Sequence, residues 1–187
     1  MHTGIEAKEP ATQDQTLLVL LAQSGDRGAL EELLREAYGP LRRYITYLAG
    51  TALADDILQE TSLQIFRKLP HLREPAVFRA WTFRIASRIA FSQMKSARRW
   101  QALEDAPVEQ LTMFAVGIGE PPDEGFLELI ERVSPASRAV LLLRYQQDLS
   151  LEEAAAILEI PVGTAKSRLH YGVTMLRKYL TDERKPA

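Results

Sequence analysis

The stretch from Ser150 to Leu180, SLEEAAAILEIPVGTAKSRLHYGVTMLRKYL, reads as a short capped helix, a tight break and a second helix with one polar face. Ser150 is placed to accept the Glu153 amide while the Glu153 carboxylate reaches back, the reciprocal box that satisfies otherwise orphaned N–H groups. The first helix has an apolar face of Leu151, Ala154, Ala155, Ile157 and Leu158, and its three consecutive alanines are small enough to let another helix cross closely. Pro161 suits a first helical position, where its missing N–H would be unpaired anyway. From there Val162, Ala165, Leu169, Val173, Leu176 and Leu180 recur at three- and four-residue steps and predict one apolar stripe. Gly163, Thr164, Ser167, Tyr171 and Thr174 point away from it, flanked by Lys166, Arg168 and His170 near the N-terminal half.

That is where a recognition helix touches base edges. Arginine donates two hydrogen bonds to one guanine edge, serine and threonine serve several bases, and lysine neutralises phosphate. An ordinary helical hairpin with a solvated basic face has the same pattern, so these residues by themselves leave both readings open.

Working outward, helical periodicity predicts helices over 14–23, 27–51, 55–68, 77–99, 126–133, 135–147, 151–158 and 161–179, with no strand-like alternation competing: an all-α chain. Ser134 before Pro135 is a clean helix start. The 187 residues, 46% of them hydrophobic, suffice for two modest cores. There are no cysteines, which excludes disulfides and thiolate metal sites, and His2, His71 and His170 are too scattered for a local metal box. No cofactor and no metal are expected. No apolar run approaches the roughly 20 residues a bilayer requires. Residues 1–15 lack the basic-then-apolar order of a signal peptide, so a soluble, cytoplasmic protein is expected.

The net charge of −2 hides an uneven distribution. Residues 1–101 hold 14 Lys/Arg against 11 Asp/Glu, residues 102–125 none against 6, and residues 126–187 nine against eight. Two mildly basic domains are thus joined by an acidic connector, whose Gly117, Gly119 and Pro121-Pro122 suit a weakly structured linker. Arg79, Arg84, Arg88, Lys95, Arg98 and Arg99 lie in a stretch free of acids between Pro75 and Leu103, a local footprint for phosphate. Within it Phe78, Trp81, Ile85 and Ile89 make a core stripe, Trp81 included, with Arg84, Arg88, Lys95 and Arg98 turned outward.

The cluster Asp55-Asp56-x-x-Gln59-Glu60 has three readings. Acids in a first helical turn favour the helix dipole. Asp56, Gln59 and Glu60 also share a face, as a recognition patch would, with Leu58, Ser62, Ile65 and Leu69 inward. A magnesium site of Asp55, Asp56 and Glu60 is the third, though no phosphate-cradling glycine loop accompanies it.

Two parts of the chain resemble one family. Residues 141–180, with LLLRYQQDLSLEEAA leading to IPVGTAKSRLH, resemble the C-terminal promoter-binding domain of bacterial sigma factors, the extracytoplasmic-function (ECF) group of the sigma-70 family above all. ADDILQET at 54–61, FRKL at 66–69 and FRAWTFRIA at 78–86 resemble the N-terminal sigma domain, in the family's order.

The resemblance implies an all-α fold of two small helical domains: a tail over 1–13, a region 2-like domain over 14–100, the acidic linker over 101–125, a region 4-like helix-turn-helix domain over 126–181 and a tail over 182–187. It implies a non-catalytic transcription initiation factor whose partners are core RNA polymerase (β′ clamp helices and β flap), promoter DNA and an anti-sigma factor. The polymerase contact falls to Asp56, Gln59, Glu60, Gln64 and Lys68, and the minus-thirty-five contact to Thr164, Lys166, Ser167, Arg168 and His170. The minus-ten contact falls to Arg79, Arg84, Arg88, Ser92, Lys95 and Arg98, with the loop over 69–77 capturing a flipped base. The linker would thread through the polymerase near its active centre; a solvated tether explains its composition equally well.

Arg88 and Ser92 stand where the family's Asn and Asp or Asn are expected, which predicts an altered minus-ten preference, since Arg lacks the acceptor of Asn. Val133-Ser134 replaces a common Leu-Pro, and Tyr171-Gly172 replaces residues that are often basic, so isolated DNA is expected to bind weakly. A sigma-like module that sequesters an anti-sigma partner is the alternative function.

Overall fold

The computed structural model describes residues 10–101 and 124–182, with side chains over 14–97 and 125–181. The described residues form eight α-helices: α1 (Pro10–Gln23), α2 (Arg27–Ala49), α3 (Thr51–Lys68), α4 (Phe78–Gln101), α5 (Glu124–Glu131), α6 (Pro135–Leu141), α7 (Leu151–Leu158) and α8 (Val162–Asp182). No strand occurs among the described residues. The acidic linker falls almost wholly outside them.

Local chemistry sets the boundaries. Asp26 caps α2 by accepting the Ala29 amide at 3.1 Å. Gly50, at φ 84°, ends α2 and turns the chain directly into α3. Helix α3 therefore starts at Thr51, four residues before the predicted start, and Asp55 and Asp56 sit in its second turn rather than its first. The dipole reading of these acids fails on that geometry, because the effect fades beyond the first turn. Helix α1 likewise starts earlier than periodicity suggested, at Pro10.

The predicted helix over 135–147 is helical as far as Gln146 but changes type on the way. After α6 the turn widens into a π-helical segment, Leu142–Gln146, in which the Gln147 amide donates to the Leu142 carbonyl five residues back. The chain then reverses through Asp148 at φ 52°. Leu141, Leu142 and Leu143 are all buried, so this segment faces neighbours on several sides, as a one-faced periodicity cannot foresee.

Helices α1 to α4 pack around Leu33, Tyr44, Ile45, Leu48, Ile57, Ile65, Phe78 and Phe83. Burying each such Leu or Ile contributes about 1.5–3 kcal/mol. Inside this core the Tyr44 hydroxyl lies 2.8 Å from Ser87 Oγ, which itself donates to the Phe83 carbonyl. Burial pushes the Tyr44 phenol far above its ordinary pKa, against the opposing pull of the Ser87 bond.

Helices α6, α7 and α8 form a second bundle whose own core is Val140, Ala155 and Ala165, with Leu151, Leu158, Ile160 and Leu169 around it. The two bundles are not separate bodies joined only by a linker. Ile130, Ala139, Leu142, Leu143, Leu149, Ala154 and Ile157 belong to the same apolar cluster as α2 to α4.

The alanine run of α7 explains how: Ala154 faces the first bundle and Ala155 the second, each essentially inaccessible to solvent. Arg138 of α6 is buried at the same seam. It donates to the Leu48 carbonyl at the end of α2 (2.9 Å) and to the carbonyls of Glu131 (2.6 Å) and Val133 (3.0 Å). A cation among helix-terminal carbonyls is well placed electrostatically.

Candidate nucleic-acid interface

The capping box that opens α7 is formed as expected: the Glu153 amide donates to Ser150 Oγ (3.0 Å) and the Ser150 amide to Glu153 Oε2 (2.7 Å). Helix α7 ends on Glu159 in the left-handed conformation. Helix α8 opens at Val162, so Pro161 stands one residue outside it, its carbonyl accepting the Ala165 amide.

The predicted stripe on α8 holds only in its centre. Ala165 is fully buried and Leu169, Val173 and Leu176 are half-buried, whereas Val162 and Leu180 at the ends are exposed. Between them Gly172 is buried where α8 crosses α6, so closely that a Cβ there would lie 2.6 Å from Leu141 Cδ1. Around the rest of the N-terminal half lie the five residues assigned to minus-thirty-five DNA. Lys166, Ser167 and His170 are exposed, Thr164 and Arg168 half-buried, and the Ser167 hydroxyl donates to the Thr164 carbonyl.

The minus-ten candidates behave differently. Along α4 Arg79, Arg84 and Arg88 form a row, and each reaches across the seam. Arg79 Nη2 donates to the Gln147 carbonyl just before α7 (2.6 Å), with its guanidinium also over the Phe83 ring, and Arg84 Nη2 donates to the Ala156 carbonyl (3.1 Å). Arg88 forks onto Glu159, Nε to Oε2 at 3.0 Å and Nη2 to Oε1 at 2.5 Å. The C-terminal end of α7 is the negative pole of its dipole, which suits Arg84 and Arg88.

The Arg88 hydrogen bonds hold the Glu159 carboxyl below the usual carboxylate range, with the charges of Arg88 and Arg84 acting the same way. Ser92 and Lys95 lie further along α4 and are exposed. The Arg98 side chain falls outside the described residues. The surface assigned to the minus-ten strand is thus split, three arginines bonded across the seam, with Arg88 still exposed, and Ser92 and Lys95 open, a division that charge counting missed because Glu159 is 71 residues away from Arg88.

Phe78 and Ile85 are buried on α4 as the stripe required; Trp81 and Ile89 are only half-buried, and Phe83, Ala86 and Ala90, outside the stripe, are as deeply buried as Phe78. The loop over 69–77 carries two 3₁₀ turns, Leu69–His71 and Pro75–Val77. Gln23, which sequence reasoning passed over, pins it by donating through Nε2 to the carbonyls of Leu69 (2.9 Å) and Leu72 (2.8 Å).

On α3, Asp56, Gln59 and Lys68 are exposed, while Gln64 Nε2 donates to Glu60 Oε1 at 2.8 Å. Beside them a groove of about 590 Å³ between α2 and α3 is lined by Leu34, Tyr38, Leu58, Leu63 and Phe66. Leu63 and Phe66 are 42% and 57% exposed, so the polar patch borders apolar surface that was not singled out. Asp55, Asp56 and Glu60 do not converge: among the described residues no three His, Asp or Glu side chains gather as metal ligands do. No helix among those residues is long and apolar enough to cross a membrane.

Two family models match the chain, "Sigma-70 region 2" over residues 29–100 and "Sigma-70, region 4" over residues 123–176. The ECF RNA polymerase sigma factor SigW of Bacillus subtilis is 32% identical over 175 residues, covering 86% of this chain and 93% of the relative. The ECF RNA polymerase sigma factor SigC of Mycobacterium tuberculosis is 30% identical over 161 residues, covering 82% and 84%. Among solved structures, CnrH in complex with the cytosolic domain of CnrY superposes with a TM-score of 0.68 at 21% identity, covering 92% of this chain and 99% of that one. The sigma factor RpoE in complex with the anti-sigma factor NepR from Bartonella quintana gives 0.69 at 24% identity, covering 83% and 98%. These two likenesses establish the fold.

Proposed function

The chain belongs to the extracytoplasmic-function group of the sigma-70 family, and from that premise we propose that it joins core RNA polymerase in the cytoplasm as a non-catalytic specificity subunit, recognises promoters and opens the strands where transcription begins. The observation that carries the reading is the pairing, in one chain, of a helix-turn-helix with Lys166, Ser167 and His170 on its open face and an acid-free, arginine-rich helix upstream of it.

The division of labour follows from the chemistry of each surface. Thr164, Lys166, Ser167, Arg168 and His170 read the minus-thirty-five element from the N-terminal half of α8, where a recognition helix meets base edges. Arg79, Arg84, Arg88, Ser92, Lys95 and Arg98 follow the minus-ten strand, and the loop held by Gln23 receives an unstacked base, so melting follows from single-strand capture. Asp56, Gln59, Glu60, Gln64 and Lys68, with the apolar groove behind them, dock on the β′ clamp helices, and the C-terminal bundle docks on the β flap. An anti-sigma factor is the remaining partner. Weak elements suffice, because holding both on one enzyme raises the effective concentration of the second contact.

The test is holoenzyme formation. Fluorescently labelled chain titrated with bacterial core polymerase is expected to bind saturably and to be displaced by another sigma factor, and Glu60→Lys, which reverses a charge in the patch without touching the core, to bind at least tenfold more weakly. Absence of binding by the unaltered chain refutes the proposal; full binding by Glu60→Lys removes this patch from it.

A further inference from the structure

Glu159 is an unusual residue for its place. The position that ends α7 has φ 54°, a left-handed conformation in which glycine or asparagine is the unstrained choice and a glutamate is not. In that place it meets the α4 arginines: a carboxylate in a two-pronged bond with the Arg88 guanidinium, and Arg84 close by on the carbonyl of Ala156. A guanidinium fork engages carboxylate and phosphate oxygens through the same parallel geometry. Three successive cations that the proposed function assigns to the promoter strand therefore each engage an acceptor within the chain, on Gln147, Ala156 and Glu159.

We propose that Glu159 is a built-in stand-in for a DNA phosphate, which occupies the anion seat on Arg88 and helps hold the helix-turn-helix bundle shut over the minus-ten face of α4 until polymerase separates the two halves. The inference rests on the promoter-binding role of α4 argued above.

The seat is made to be exchanged rather than permanent. Arg88 and Glu159 are 63% and 48% exposed, so their ion pair is screened by water and salt and holds only weakly. Arg84 Nε is buried and without a hydrogen-bond partner among the described residues, so the closed arrangement leaves one donor unsatisfied that a strand with several phosphate oxygens can meet. Only the fraction of molecules that is open binds DNA, and the apparent affinity falls by that fraction.

The experiment compares full-length chain and its Glu159→Gln variant for binding a labelled single-stranded DNA of random sequence, alone and as holoenzyme with core polymerase. Glutamine keeps the shape and removes the charge. Glu159→Gly is the second variant, since it also removes the carboxylate while relieving the backbone, so a fold defect cannot account for a shared result. Both variants are expected to bind the strand about threefold more tightly than the unaltered chain when free, the scale of one exposed ion pair, and no more than marginally so in the holoenzyme, where the seat is already vacated.

Unchanged affinity of both free variants overturns the proposal, and so does an equal gain in free chain and holoenzyme, which marks general charge attraction instead. Failure to form holoenzyme at all is a separate result that refutes the proposed function, and the free-chain comparison is read independently of it.

Discussion

Replacing Arg138 by methionine tests how the two bundles are held together. The Arg138 side chain is 6% exposed and its guanidinium donates to three carbonyls, one of them, Leu48, in the other half of the molecule. Hydrogen bonds from a charged donor contribute about 1.5–3 kcal/mol each, giving a ceiling of roughly 4.5–9 kcal/mol for three. Several kcal/mol of guanidinium desolvation are recovered when the charge is removed. Methionine fills most of the volume of the stem, so little cavity cost is added. The net destabilisation is about 2–4 kcal/mol.

Urea unfolding followed by far-ultraviolet circular dichroism and by tryptophan fluorescence measures it. Fluorescence reports the first half, which contains Trp81 and Trp100, while dichroism reports all helices. In the unaltered chain the two transitions should coincide, because one apolar cluster spans both halves. In Arg138→Met the midpoint should fall and the dichroism transition should begin first. A loss below about 1 kcal/mol with coincident transitions would refute the assignment of Arg138 as the tie between the bundles.

Other substitutions probe single contacts. Gly172→Ala should cost about 1–3 kcal/mol, seen as a lowered melting temperature, because its methyl meets Leu141 Cδ1 at 2.6 Å. Ser87→Ala should cost about 1–3 kcal/mol by stranding the buried Tyr44 hydroxyl, whereas Tyr44→Phe leaves Ser87 bonded to the Phe83 carbonyl and should cost about 1 kcal/mol or less; equal losses in urea unfolding would contradict that ordering. Arg168→Ala should weaken promoter binding by about 1–3 kcal/mol and relax base preference in the minus-thirty-five element alone, which a promoter-mutant panel transcribed in vitro would reveal.

The legible parts of this chain were those whose causes are local in sequence. Ser150 and Glu153 are three residues apart, and their capping box is present in the fold; Ser134-Pro135 marks the start of α6 for the same reason. The open face of α8 followed from periodicity near its centre. What periodicity does not carry is the identity of the neighbour. Ala154 and Ala155 both read as small residues on an apolar helix, yet they face different cores.

Val162 and Leu180 continue the stripe arithmetically but stand exposed near the two ends of α8. The closure of α7 on α4 was illegible because it joins residues about 70 positions apart through backbone carbonyls, which have no sequence signature. Arg138 was invisible for the same reason: it reaches the backbone carbonyls of Leu48, Glu131 and Val133. Arg88 and Glu159 each fit a solvated surface until the fold brings them together.

The central claim is that this chain confers promoter choice on polymerase, and start-site mapping tests it most directly. Purified chain is added to bacterial core polymerase with fragmented genomic DNA, and RNA 5′ ends are sequenced. The account predicts new starts absent with core alone and preceded by two shared elements at constant spacing, the upstream one blurred when Arg168→Ala replaces the unaltered chain. A holoenzyme that forms yet yields no new starts, or starts without a shared upstream element, would contradict it.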